Sequence, residues 1–207
     1  MGSCLEELSL SALEIDVVSE IDSKELKKIF SAYRDYIECR FNFYKSDPEV
    51  DREKLQLDAV KKEEYVNVLN LLRMVDLNDP FQHCLAYKVV CSVEGVLTAR
   101  VSSDFSKVHV GCLVTAPWNL EMTSPNFDDK IAMRGVGRSL MQGAYRLNQN
   151  PEGGRLCLSP LGQSVSFYTA MGMTEESGEM VLRINSGVTP SPLFSRVTAS
   201  IRLNSPL

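Results

Sequence analysis

No run in this chain is long and apolar enough to cross a bilayer, so a membrane protein is not expected. The opening residues, MGSCLEELSLSALEIDVV, carry no basic group ahead of their apolar ones. They lack the form of a secretory signal, and a cytoplasmic location is expected. Gly2 and Cys4 fall short of an acylation signal because Glu6 stands where Ser or Thr is required. A basic stripe is missing too: the formal net charge is −5, which argues against a general nucleic-acid binder. None of the six cysteines forms a CxxC pair, and most lie in apolar runs. They read as buried thiols, and no metal site is expected; His83-Cys84 with Cys91 has no second ligand pair nearby. Walker-type Gly-x-x-x-x-Gly-Lys-Ser/Thr spacing is absent as well.

What is present fits one soluble domain. The chain has 207 residues, 44% hydrophobic and 24% charged, with no internal repeat or low-complexity tract. We read residues 1–207 as a single α/β (α+β) domain with its core over about 12–203. Ala12 to Val18 alternates as a first strand. Asp22-Ser-Lys-Glu25 has the capping-box form and opens a helix carrying Leu26, Ile29, Phe30, Tyr33 and Ile37. A second helix spans about Asp51 to Val75. Cys84 to Val93 and Val96 to Ser102 read as a hairpin turning at Glu94-Gly95. Lys107 to Thr115 is a further strand, with Val108, Val110, Cys112 and Val114 as its apolar face unless a bulge intervenes. A helix over Gly135 to Asn148 buries Val136, Leu140, Ala144 and Leu147. A strand at Arg155 to Leu158 leads to a helix entered at Ser159-Pro160 and ending at Gly172. Glu179 to Asn185 and the alternating Val197 to Leu203 close the chain. The order is β-α-α-β-β-β-α-β-α-β-β, a mixed, mostly antiparallel sheet with helices on both faces.

The stretch Met133-Arg-Gly-Val-Gly-Arg-Ser-Leu140 stands out. Two glycines open a helix, where the first amides have no internal partner and the dipole is positive. Such a start suits a phosphate group, and Arg134 and Arg138 would add charge. Tight helix packing would equally explain the glycines. The Rossmann third glycine is missing, because Leu140 stands there.

Ala132-Met-Arg-Gly135-Val-Gly137 resembles the pyrophosphate loop of the GNAT superfamily of acyl-CoA-dependent N-acyltransferases, which reads Gln/Arg-x-x-Gly-x-Gly/Ala. Ala132 departs from its first position. Cys112-Leu-Val-Thr-Ala-Pro117 is similar to the strand end that precedes that loop, and Ser166-Phe-Tyr-Thr-Ala-Met-Gly-Met173 to the family's Phe-Tyr-x-x-x-Gly-Phe ending. Leu161 and Ser164 stand where the family often has Asn and Ala. Residues 118–130 are an insertion relative to the common form.

The resemblance implies acetyl-CoA, or another acyl-CoA, as co-substrate, with transfer to a primary amine by direct attack in a ternary complex and no metal. It implies cofactor contacts from Leu113, Val114, Met133, Arg134, Gly135, Val136, Gly137, Arg138, Ser139, Ser164 and Tyr168. Tyr168 is the candidate general acid, since a phenol is protonated at neutral pH; a tyrosine capping the core is the plainer alternative. His109 and Glu121 are candidate bases, against an ordinary half-buried histidine and a solvated loop carboxylate. Trp118, Asn119 and Glu121 would face the acceptor, a small molecule or peptide amine; Asp128 and Asp129 are further candidates to hold it. Cys112 as a nucleophile is weighed against a small core residue. A catalytically inert acyl-CoA-binding or protein-interaction module is the alternative function. The sequence leaves the oligomeric state open, with a homodimer as one option, and does not name the acceptor.

Overall fold

The structure is a computed structural model that describes residues 17–46, 51–89, 92–119, 135–148 and 153–184. Among the described residues seven strands form one sheet: β1 (Val17–Glu20), β2 (Gln82–Val89), β3 (Ser92–Val101), β4 (Lys107–Thr115), β5 (Gly154–Leu158), β6 (Thr174–Glu176) and β7 (Glu179–Ile184). Their spatial order is β1-β2-β3-β4-β5-β7-β6. Only β4 and β5 run parallel; every other pair is antiparallel.

Four α-helices among the described residues cover the two faces: α1 (Ser23–Ser46), α2 (Arg52–Arg73), α3 (Val136–Arg146) and α4 (Val165–Ala170). The start of α1 is capped as its sequence suggests, the Glu25 amide donating to Asp22 Oδ1 at 2.7 Å. Asp51 caps α2 through the Glu53 amide at 3.0 Å. Leu26, Ile29, Tyr33 and Ile37 of α1 pack with Tyr65, Leu69 and Leu72 of α2 on one face. Two phenols fix this layer to the strands: Tyr33 donates to the Val93 carbonyl at 2.7 Å and Tyr65 to that of Thr115 at 2.9 Å. On the other face Val136, Leu140, Met141 and Ala144 of α3 join Tyr168 and Met171 of the α4 segment. Among the described residues no helix is long and apolar enough to cross a membrane.

Several boundaries differ from the sequence reading. β2 ends at Val89 and β3 begins at Ser92, so Glu94 and Gly95, expected as the turn, lie within β3. There Tyr87 pairs with Gly95 and Lys88 with Val93, leaving Glu94 as the extra residue of a bulge. Ser159-Pro160 does not open a helix; the chain stays extended through Leu161, turns as a 3-10 segment at Gly162–Ser164 and enters α4 at Val165. A short strand, β6, precedes β7 by a two-residue turn at Ser177 and Gly178, both in the left-handed region. The strand expected over Val197 to Leu203 and most of the one at Ala12 to Val18 lie outside the described residues. The element order is still β-α-α-β-β-β-α-β-α-β-β, with β6 and β7 as its last two strands.

Candidate functional site

The sheet opens at its parallel seam. β5 pairs with β4 only from Lys107↔Arg155 to Val110↔Leu158. There β5 ends, while β4 continues to Thr115. A cavity of about 370 Å³ occupies the parting. Val68 and Leu71 of α2 line it on one face, and Gly137 and Phe167 of α3 and α4 on the other, so it runs through the sheet. Gly111, Cys112, Leu113 and Thr115 form its β4 wall; Leu158, Ser159 and Tyr168 stand opposite.

A second bulge shapes that wall. Thr98 pairs with Cys112 and Ala99 with Val110, so Gly111 is the extra residue. A β-carbon on Gly111 would sit 3.2 Å from Thr98 Oγ1, which suits glycine to the position. The bulge reverses the facing of everything after it. Val108 and Val110 pack under α3 and α4, whereas Cys112 and Val114 pack under α1 and α2. The single apolar face expected for these four residues is therefore split. Leu113 turns to the α3 side and lines the cavity; Val114 pairs with Val96 and is buried away from it.

The two glycines of the α3 start serve different ends. Gly135 is the N-cap and has φ of 89°, a left-handed conformation that disfavours a side chain. Gly137 is a packing glycine: a β-carbon there would lie 3.2 Å from the Phe167 ring and 3.6 Å from Leu113. Its amide, with those of Val136 and Arg138, precedes the first bond of the helix, Ser139 N–H to Gly135 C=O at 3.0 Å. Those amides are left as donors at the positive end of the dipole, beside the cavity. Arg138 is half-buried and Ser139 buried. Met133 and Arg134, also expected at this site, lie outside the described residues.

Tyr168 reaches the cavity from α4, buried at 8% exposure. Its pKa is raised, first by burial and then by the neighbouring Cys112; Ser164, one turn earlier, opposes this through its hydroxyl. The phenol therefore keeps its proton at neutral pH. The Ser164 hydroxyl also donates to the Leu161 carbonyl at 2.8 Å, closing the turn before α4. Burial pushes the Cys112 thiol up to about 12, so it stays a thiol rather than a nucleophilic thiolate. Its Sγ lies 3.6 Å from the Val68 carbonyl, a contact that packs β4 against α2.

The remaining candidates lie elsewhere. His109 precedes the bulge and faces away from Val108 and Val110; it does not line the cavity. Its Nε2 is 3.5 Å from Glu179 Oε1, and the other oxygen of Glu179 is 3.3 Å from Lys107 Nζ. Glu179 was not singled out by sequence, because the two residues are brought together only by the β4–β5–β7 order. Trp118 and Asn119 form a 3-10 turn after β4 but do not line the cavity. Trp118 is buried edge-on to Tyr33 and Tyr36, with centroids at 5.5 and 5.4 Å. Both residues donate to the buried carboxylate of Glu94, Trp118 at 2.7 Å and Asn119 at 3.0 Å. The Ser92 hydroxyl is its third donor. Glu121, Asp128 and Asp129 lie outside the described residues.

No family model matches the chain, and no curated protein matches it. Solved structures do. Tetrahymena GCN5 is 13% identical, covering 80% of this chain and 89% of its own, with a TM-score of 0.43. PaiA N-acetyltransferase from Thermoplasma acidophilum, solved in complex with coenzyme A, is 13% identical over 82% of this chain and 98% of its own, again with a TM-score of 0.43. A GNAT family acetyltransferase from Brucella melitensis, solved with acetyl-CoA, is 11% identical over 81% and 86%, at the same score. Likeness of this degree leaves the functional reading to the cavity and its own residues.

Proposed function

We propose that the protein is an N-acyltransferase that moves an acetyl or other short acyl group from acyl-CoA to a primary amine. One observation carries this reading: a cavity through the parallel seam is lined by Gly137, in the first turn of α3, and by Tyr168. That donor set suits a pyrophosphate outside and a thioester within. Free helix amides and the Arg138 guanidinium would hold the phosphates. The part of β4 beyond Val110 has lost its β5 partner, so Leu113 would offer backbone groups to the pantetheine amides, as an added strand does.

The chemistry then needs little from the protein beyond position and one proton. The neutral amine attacks the thioester carbonyl, a C–N bond forms and the C–S bond breaks. Tyr168 gives its proton to the departing sulfur and regains one from solvent. The amine's surplus proton leaves to water. His109, beside Glu179 and outside the cavity lining, is the other candidate acceptor and would take that proton only through intervening water. No covalent intermediate on Cys112 is invoked, which agrees with its raised pKa.

The test is calorimetry with CoA and acetyl-CoA, followed by thiol release across a panel of amines. Binding with turnover of any amine supports the reading. Binding without turnover across the panel would favour a catalytically inert acyl-CoA-binding module on the same fold.

A further inference from the structure

The two ends of the cavity differ in chemistry. At the α3 end is Gly137, in the first turn of the helix, where backbone amides have no partner within the helix. At the α2 end are Val68, Leu71 and Cys112, and Leu161 also lines the cavity. Leu71 is 50% exposed and Leu161 56%, apolar side chains left facing water beside an open cavity. Polar atoms identified at the α2 end are already engaged: the Cys112 thiol with the Val68 carbonyl, and the Thr115 carbonyl with the Tyr65 hydroxyl. A polar substrate end would find its partners taken there, whereas a hydrocarbon needs none.

We infer that this α2 end is an acyl-chain site, and that the group transferred is an aliphatic acyl longer than acetyl, of the butyryl to hexanoyl class. The inference rests on the acyl-CoA reading above. With the phosphates at α3 and the sulfur at Tyr168, the acyl carbons continue away from α3, and Cys112, Val68 and Leu71 come next. Tyr65 and Cys112 register α2 against β4 at that level, so the apolar wall is held by the fold. An acyl tail would cover Leu71 and Val68, and each buried methylene tightens binding by about fourfold.

The experiment is a calorimetric series with CoA, acetyl-CoA, butyryl-CoA and hexanoyl-CoA on the whole chain. Butyryl-CoA should bind roughly fifteenfold tighter than acetyl-CoA, the product of two such steps. Leu71→Asn sits at an exposed position and should fold. It should flatten the series while leaving the Kd for CoA itself within about twofold. A flat series in the wild-type protein, with CoA still bound, overturns the acyl site and leaves the proposed function standing. A series equally steep in Leu71→Asn overturns the placement at α2. Failure of CoA itself to bind removes the acyltransferase reading and this inference together.

Discussion

The indole Nε1 of Trp118 donates to Glu94 Oε2 at 2.7 Å, a pair buried beneath α1. Glu94 is the bulge residue of β3 and Trp118 opens the segment after β4, so this contact ties two neighbouring strands at the end nearest the cavity. A buried carboxylate is tolerated because its neighbours are donors: Trp118, Asn119 and Ser92. Trp118→Phe removes one of them and leaves an oxygen underbonded. We expect a loss of about 1.5–3 kcal/mol in urea denaturation, the range for a hydrogen bond to a charged group. Trp118→Phe should leave CoA affinity unchanged, since the indole does not line the cavity.

Alkaline pH should destabilise the fold through its buried thiols. Cys84 and Cys112 are both pushed up to about 12, chiefly by burial. In the unfolded chain each titrates near its ordinary value, so above about pH 8.5 that chain loses protons the folded one keeps. The stability from the raised values is fully present below the unfolded pKa and is lost as pH rises towards 12. Tyr33 and Tyr65, raised by burial too, act in the same direction at still higher pH. Denaturation midpoints should hold nearly level from pH 7 to about 8.5 and fall steadily from there to pH 10.5. At pH 8 both thiols should resist iodoacetamide in the native protein and react in urea. A flat midpoint, or native alkylation of Cys112, would contradict their burial.

Gly137 separates packing from binding. A β-carbon at 3.2 Å from the Phe167 ring is tight but not prohibitive, because Phe167 is itself partly exposed and can turn aside. Gly137→Ala should therefore cost about 1 kcal/mol or less in stability, part of the clash being offset by alanine's better helix propensity. Combining it with Phe167→Leu should recover what the clash costs. CoA affinity follows a different rule: if the amides cradle phosphate, it falls in Gly137→Val and stays low when Phe167→Leu is added to relieve the clash. Circular dichroism melts and calorimetry on the same samples would separate the two effects.

The element order was legible because its signals are local. Asp22 with Glu25 and Asp51 mark helix starts within one turn, and the apolar spacing of α3 anticipated Val136, Leu140 and Ala144 as its buried face. The tertiary departures were not. Val108-His-Val-Gly-Cys-Leu-Val114 alternates without interruption, so nothing in it announces that Gly111 slips the register and sends Cys112 to the opposite face. Glu94-Gly95 has turn chemistry, yet Glu94 bulges inward because Trp118 and Asn119 supply donors from 24 and 25 residues away. Ser159-Pro160 reads as a helix entry, but the chain must first clear the cavity wall that Ser159 and Leu161 line. The helix start at Gly135-Val-Gly137 was readable in the sequence, whereas the partners of His109 and Trp118 depend on strand order.

Tyr168 offers the most direct test of the chemistry. It lies 8% exposed in the wall of the seam, close enough to Cys112 for the thiol to raise its pKa, and within one turn of Ser164. Burial keeps the phenol protonated, and a protonated phenol is what a departing thiolate needs. Its ring belongs to the core beneath α3 and α4, so a large truncation would confuse packing with catalysis. Tyr168→Phe keeps the ring and deletes only the hydroxyl. We expect kcat to fall by about 10²–10⁴, the usual worth of general acid catalysis, with acyl-CoA affinity and Tm close to wild type. A thiol with a low pKa leaves without help, so the defect should shrink with an acyl donor carrying a better leaving group. Steady-state kinetics with both donors, beside calorimetry on the same preparation, would decide the matter. A kcat within about threefold of wild type, or a defect independent of the leaving group, would make Tyr168 a packing residue and leave protonation of the sulfur to water.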